Sequence, residues 1–200
     1  MEKQPEFRNI RLELGYCHEV RNLLTHNPKI SDKYTVDPSE EMIELLKNTV
    51  EKVINPPKAK SIMIPKQKIL WRTMNDFILP VVHEMVSKTF TNIPILEEGV
   101  VIGVFSESTL LSYLVDEEII SIDDHMVFSD LEKYLWLKNH TAESFRFVSE
   151  DTLKTTIEDM FSDANKHGER IGLIFVTHSG RATEKVLGII TAWDLVDSER

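Results

Sequence analysis

Two stretches of this chain repeat one another, and that repeat constrains the fold more than any other feature. Gly188-Ile189-Ile190-Thr191-Ala192-Trp193-Asp194-Leu195 and Gly103-Val104-Phe105-Ser106-Glu107-Ser108-Thr109-Leu110 follow one pattern: glycine, two apolar residues, a hydroxyl, two variable positions, a polar residue and leucine. An apolar strand precedes each glycine, Asn92–Leu96 in the first copy and Gly172–Thr177 in the second, and a candidate helix precedes each strand. The glycines stand 85 positions apart, room for a helix, two strands, a second helix and a connector.

In the later copy, an apolar run passing into Thr-x-x-Asp reads as a buried strand feeding a helix start. Two roles fit that junction. Thr191 and Asp194 can cap the helix, as a hydroxyl and an acid three residues apart commonly do. The unpaired N–H groups and positive dipole end at such a start also suit phosphate and sugar oxygens.

The order helix, strand, strand, helix, with an Ile-Pro-Ile strand and Gly-h-h-Ser/Thr-x-x-Asp opening the last helix, resembles the CBS (cystathionine β-synthase-type) domain, from about Lys60 to Val196. The resemblance implies an α+β chain: a tandem CBS-domain pair of two pseudo-symmetric β-α-β-β-α units preceded by an N-terminal helical segment. The expected divisions are 1–57 for that segment, 58–118 for the first unit, 119–140 for a connector with a helix, and 141–200 for the second unit. In that family, paired units bind adenosine-containing ligands in clefts, the motif hydroxyl contacting ribose or phosphate and the acid taking the ribose hydroxyls. Thr191 and Asp194 match the motif fully, whereas Ser106 is followed by Thr109 where the acid should stand. A threonine cannot offer the paired charge-assisted acceptors of a carboxylate. One competent cleft is therefore expected, around the second copy with Ile189.

The loop before that motif, from Ile174 to Gly188, is four residues longer than its counterpart from Ile93 to Gly103, and it carries His178, Arg181 and Lys185. Arg181 or Lys185 is expected to bend toward a phosphate over Thr191. Phe145 to Val148, with Phe147 and Val148 as the contacts, are expected to form an apolar wall for adenine. The implied ligand is AMP, ADP, ATP or S-adenosylmethionine, in a regulatory module with no chemistry of its own and no required cofactor. A homodimer is the expected assembly.

Composition limits the other classes. A net charge of −10 argues against a general DNA-binding surface, which draws on many cation–phosphate contacts. A single cysteine, Cys17, permits no intrachain disulfide and points to a reducing compartment. No apolar run reaches the length of a membrane span, and the charged start is unlike a signal peptide, so a cytoplasmic location is expected. No Gly-rich phosphate loop and no metal-type His/Cys spacing is found in the sequence.

Ahead of the repeat, Phe7 to Thr25 reads as a helix, with Ile10, Leu14, Cys17 and Leu24 at helical spacing. A second helix is signalled by Asp37 as N-cap, Pro38 at its first position, and then Met42, Ile43, Leu46, Val50 and Ile54. Asn55-Pro56-Pro57 breaks it. Arg21 and His26 resemble the Arg-x4-His signature of the HEPN superfamily, some of which cut RNA. That resemblance implies an alternative, an RNase regulated by the pair; a purely structural dimerisation module with empty clefts is the other alternative. The same two residues also suit a plain helix C-terminus. Between the copies, Ile119, Ile120 and Ile122 suggest a strand, and Ser129-Asp130-Leu131-Glu132 a capped helix.

Overall fold

The computed structural model describes residues 5–26, 29, 32–34, 37–118 and 121–196; the strand suggested at Ile119 and Ile120 lies outside them. The described residues of Met1–Pro57, with Leu153–Ile157, form one compact unit, and those of Lys58–Thr152 with Glu158–Arg200 form another. No described helix is long and apolar enough to cross a membrane.

The first unit is a pair of helices, α1 (Arg11–His26) and α2 (Glu40–Ile54), after a 3-10 turn at Pro5–Ile10. The N-cap of α2 is Ser39 rather than Asp37: its backbone is extended and its hydroxyl accepts the Met42 N–H at 3.3 Å. Pro38 therefore precedes the cap instead of opening the helix. Apolar side chains of both helices, Cys17, Val20 and Leu24 on α1 with Met42, Ile43 and Leu46 on α2, line a groove of about 550 Å³.

In the second unit, strand and helix alternate as the repeat requires. The later copy runs β4 (Ser144–Ser149), α7 (Lys154–Lys166, from Glu158 onward in this unit), β5 (Ile171–Thr177), β6 (Gly188–Ile190) and α8 (Ala192–Val196). β4 lies parallel to β5 across the α7 crossover, and β5 returns antiparallel into β6. The earlier copy repeats this with α4 (Ile78–Lys88), β2 (Asn92–Glu97), β3 (Val100–Ser106) and α5 (Glu107–Asp116), and a parallel bridge of Arg72 to Ile95 stands where β4 pairs in the other. Helix α4 begins two residues before Pro80, which sits in the first turn, where its missing N–H breaks no helical bond.

A short strand, β1 (Ile64–Pro65), follows the single turn α3 (Ala59–Ile62). The sequence places β1 at the opening of the first copy, but it pairs with the second: Ile64 opposes Ile189 and Pro65 opposes Gly188. The larger sheet thus has the order β1-β6-β5-β4, built from both copies.

The β2–β3 hairpin turns through Glu98 and Gly99, both at positive φ, the conformation that two-residue hairpin loops need. Ile93, Ile95 and Phe105 pack with Ile78, Met85 and Phe128 of the first copy. Leu96, Val101 and Val104 pack instead with Phe175, Val186 and Ile189 of the second. Burial on both faces explains why these strands are apolar throughout rather than alternating. A register shift between Ile95 and Leu96 lets successive residues serve the two cores.

Between the copies, a 3-10 turn at Phe128–Leu131 leads into α6 (Glu132–Leu135). The N–H of Val127 donates to Asp130 Oδ2 at 2.9 Å, so capping begins two residues before the expected Ser129.

Candidate functional site

β6 ends at Ile190 and delivers Thr191 to the start of α8. Asp194 Oδ2 accepts two bonds from Thr191, from its N–H at 2.7 Å and from its hydroxyl at 2.7 Å. The capping role is fully realised. It does not single out this position, because Thr73 and Asp76 form the same box ahead of α4, with N–H and hydroxyl bonds to Asp76 Oδ2 of 2.6 and 2.9 Å.

What separates Thr191 from Thr73 is a cavity of about 460 Å³. Its apolar walls come from Ile64, Ile69 and Leu70 after α3, Phe90 at the end of α4, Ile171 and Leu173 on β5, Ile189 on β6, and Phe161 on α7. Its polar groups are Thr191, Lys68, Asn165, Arg170 and the Thr89-to-Asn92 turn, and Trp193 stands at its edge, 80% exposed. A mostly apolar cavity with a few convergent polar groups is the form small-molecule sites take. Asn92 Nδ2 donates to Glu143 Oε2 at 3.3 Å, while its Oδ1 is buried with no partner among the described residues. Such a group costs about 1–3 kcal/mol, a cost that functional sites often carry.

The first copy's motif is closed on itself. The Ser106 N–H donates to Thr109 Oγ1 at 3.2 Å, the Thr109 N–H donates to Ser106 Oγ at 3.3 Å, and the two hydroxyls lie 3.0 Å apart. Both side chains are buried, at 2% and 3% exposure. The cavity at Ser106 measures only about 120 Å³, and Thr109 does not line it.

Five of the residues expected around the second copy do not line this cavity: Asp194, held in the cap with Thr191, and Arg181, Lys185, Phe147 and Val148. The hairpin of β5 and β6 pairs Val176 with Gly188 at its loop end and Ile174 with Ile190 at its other end. Thr191 is thus at the end remote from the loop that carries Arg181 and Lys185, and neither residue lines the cavity. Arg181 Nε donates instead to Ser179 Oγ at 2.8 Å and pairs with Glu184 at 3.4 Å. Hydrogen bonds from the Ser179 hydroxyl and N–H hold the Glu184 carboxyl down at about 2. Phe147 and Val148 sit opposite Phe175 and Val176, again toward the loop end, where the Phe147 ring packs on Phe175 at 5.1 Å. The cavity wall is built instead at the opposite end of β5, by Ile171, Gly172 and Leu173.

Arg21 lines the groove of the helical pair, and its guanidinium donates to Asn22 Oδ1 at 3.1 Å. His26, the last residue of α1, stands five positions on, roughly 140° around the helix axis at about 100° per residue. No hydrogen bond joins the two among the described residues.

No protein-family model matches the chain, and no curated protein matches it by sequence. Among solved structures, CbpB in complex with c-di-AMP superposes with a TM-score of 0.55 at 16% identity, over 78% of this chain and 92% of that one. The fold is that of a CBS-domain pair. CBSX2 in complex with AMP matches at a TM-score of 0.48 and 19% identity, over 71% of this chain and 95% of its own. AcuB from Vibrio cholerae matches at 0.49 and 19%, over 72% and 90%.

The residues that sequence reasoning did not reach, Lys68, Arg170, Phe161 and Trp193, come from four separate segments of the chain. Trp193 alone carried a usable signal, a large aromatic inside the motif itself.

Proposed function

We propose that this CBS pair is a regulatory module that holds an adenosine-containing ligand in the cavity at Thr191, with no catalysis of its own. The carrying observation is the inequality of the clefts: about 460 Å³ at the motif with the carboxylate and about 120 Å³ at the motif without it. Asp194 does not itself line the cavity; its Oδ2 holds Thr191, which does, by two hydrogen bonds. Phe90, Phe161 and Trp193 offer aromatic surface to a base. CbpB, which shares the fold, is in complex with an adenine dinucleotide.

Regulation requires that the ligand favour one of two states of the protein. A homodimer is part of the same proposal, for which Val86 on α4 and Leu111 and Val115 on α5 supply exposed apolar surface. Thermal denaturation with and without AMP, ATP or S-adenosylmethionine tests the binding. A rise in Tm with at least one of them, lost in Asp194→Ala, supports the reading; an unchanged Tm with all three removes it.

A further inference from the structure

The two helices ahead of the CBS pair lack a core of their own. Among the described residues of α1 and α2, Thr49 alone is buried. Helices of this length draw their stability from a packed apolar face rather than from propensity, and two of them enclose too little to supply it. The apolar residues are present but uncovered. On α2, Ile43, Leu46, Val50 and Ile54 recur at helical spacing along one face and are between 43% and 67% exposed. Ile43 and Leu46 also line the groove of about 550 Å³ that α2 forms with Val20 and Leu24 of α1, so the stripe and the groove are one surface.

Area, side-chain order and charge all fit that surface to itself. At those exposures the four side chains present on the order of 400 Å² of apolar surface per copy, doubled to roughly 800 Å² by a two-fold axis, and a stable interface of about 1,600 Å² is a little over half apolar. Two copies of α2 laid antiparallel about an axis near Asn48 set Ile43 opposite Ile54 and Leu46 opposite Val50. Each apolar residue then meets another, in the reciprocal pairing that a two-fold contact imposes. On the flank of the stripe, the same arrangement brings Lys47 of each copy toward Glu51 of the other, so opposite charges meet twice.

We infer that the stripe and groove on α2 are an association surface whose partner is a second copy of this chain, the two helical pairs forming one four-helix bundle. The surface belongs to the first unit, whereas Val86, Leu111 and Val115 belong to the second. The inference does not depend on what the cavity at Thr191 holds.

Sedimentation equilibrium of the full chain tests it in a Leu111→Glu/Val115→Glu background, which removes the apolar surface of α5. That protein should sediment as a dimer, and adding Ile43→Glu and Val50→Glu should make it a monomer. Adding Leu12→Glu instead, on α1 at 77% exposure and outside the groove, should leave the dimer intact. Cross-linking in the same background, with Cys17→Ser, reads the contact in variants that keep every apolar residue of the stripe. A short bis-maleimide should join Lys47→Cys between copies and should not join Asn48→Cys, which lies on the opposite side of α2; both positions are exposed. A dimer that survives Ile43→Glu and Val50→Glu, or equal cross-linking at positions 47 and 48, would overturn the inference. A monomer already in the Leu111→Glu/Val115→Glu background would overturn it too, and would leave the groove to another segment of the chain or to a small apolar molecule.

Discussion

Gly188 lies against the carbonyl oxygen of Ile64 so closely that a Cβ at position 188 would collide with it. Gly103, at the equivalent point of the first copy, meets the carbonyl of Leu135, where an added Cβ would come within 2.6 Å. Each repeated glycine therefore admits a backbone segment against the last strand of its copy. In the second copy that segment is β1, which also forms one wall of the cavity at Thr191.

Gly103→Ala and Gly188→Ala are expected to destabilise the protein by about 1–3 kcal/mol each, the usual cost of forcing an atom into a filled space. Gly15→Ala is the opposite case. It lies inside α1 with nothing within 4 Å of an added Cβ, so the exchange should stabilise by up to about 1 kcal/mol. Urea denaturation of the three variants checks both signs.

The twin boxes separate capping from binding. Asp76→Ala and Asp194→Ala each remove a carboxylate that takes a threonine N–H and hydroxyl, and each should cost about 1 kcal/mol of stability. Only Asp194→Ala should weaken nucleotide binding. Equal binding losses in the two variants would make the effect one of folding.

Trp193 is 80% exposed and stands at the cavity edge. Its fluorescence should change on addition of AMP, and the change should vanish in Trp193→Phe. Trp193→Ala should weaken binding by roughly fivefold or more, as loss of base–aromatic stacking does, with no fall in Tm without ligand.

The hairpin loop has its own pH dependence. With the carboxyl of Glu184 held at about 2 against an ordinary value of 4.5, its contribution to stability is complete above about 4.5 and is lost as pH falls through about 2. Side-chain NMR titration should find Glu184 still ionised at pH 3. In Glu184→Gln, stability should fall less steeply between pH 4.5 and 2 than in the wild type.

Much of the fold was legible because it is local and repeated. The Gly-h-h-Ser/Thr pattern marked two strand-to-helix junctions, Glu98-Gly99 marked a hairpin, and Asn55-Pro56-Pro57 ended α2. The cavity was much less legible, since its walls are assembled by β1 pairing with the other copy, and no periodicity in Ile64-Pro65 says which sheet a two-residue strand will join. The position of Arg181 and Lys185 away from the cavity had a signal that was open to reading. An antiparallel hairpin puts its loop at the end opposite the exit of its second strand, so a loop entering β6 cannot sit beside the residue that leaves it. Phe147 and Val148 lie away from the cavity by the same geometry, because β4 runs parallel to β5 and its last residues lie toward that loop.

The most direct measurement is backbone amide chemical-shift mapping while AMP is titrated into the isotope-labelled chain. The account predicts perturbations at Thr191, Trp193, Gly172 and Asn92, with Val148, Arg181 and Lys185 unmoved. Perturbations concentrated at Arg181 and Lys185, or none at saturating AMP, would contradict it.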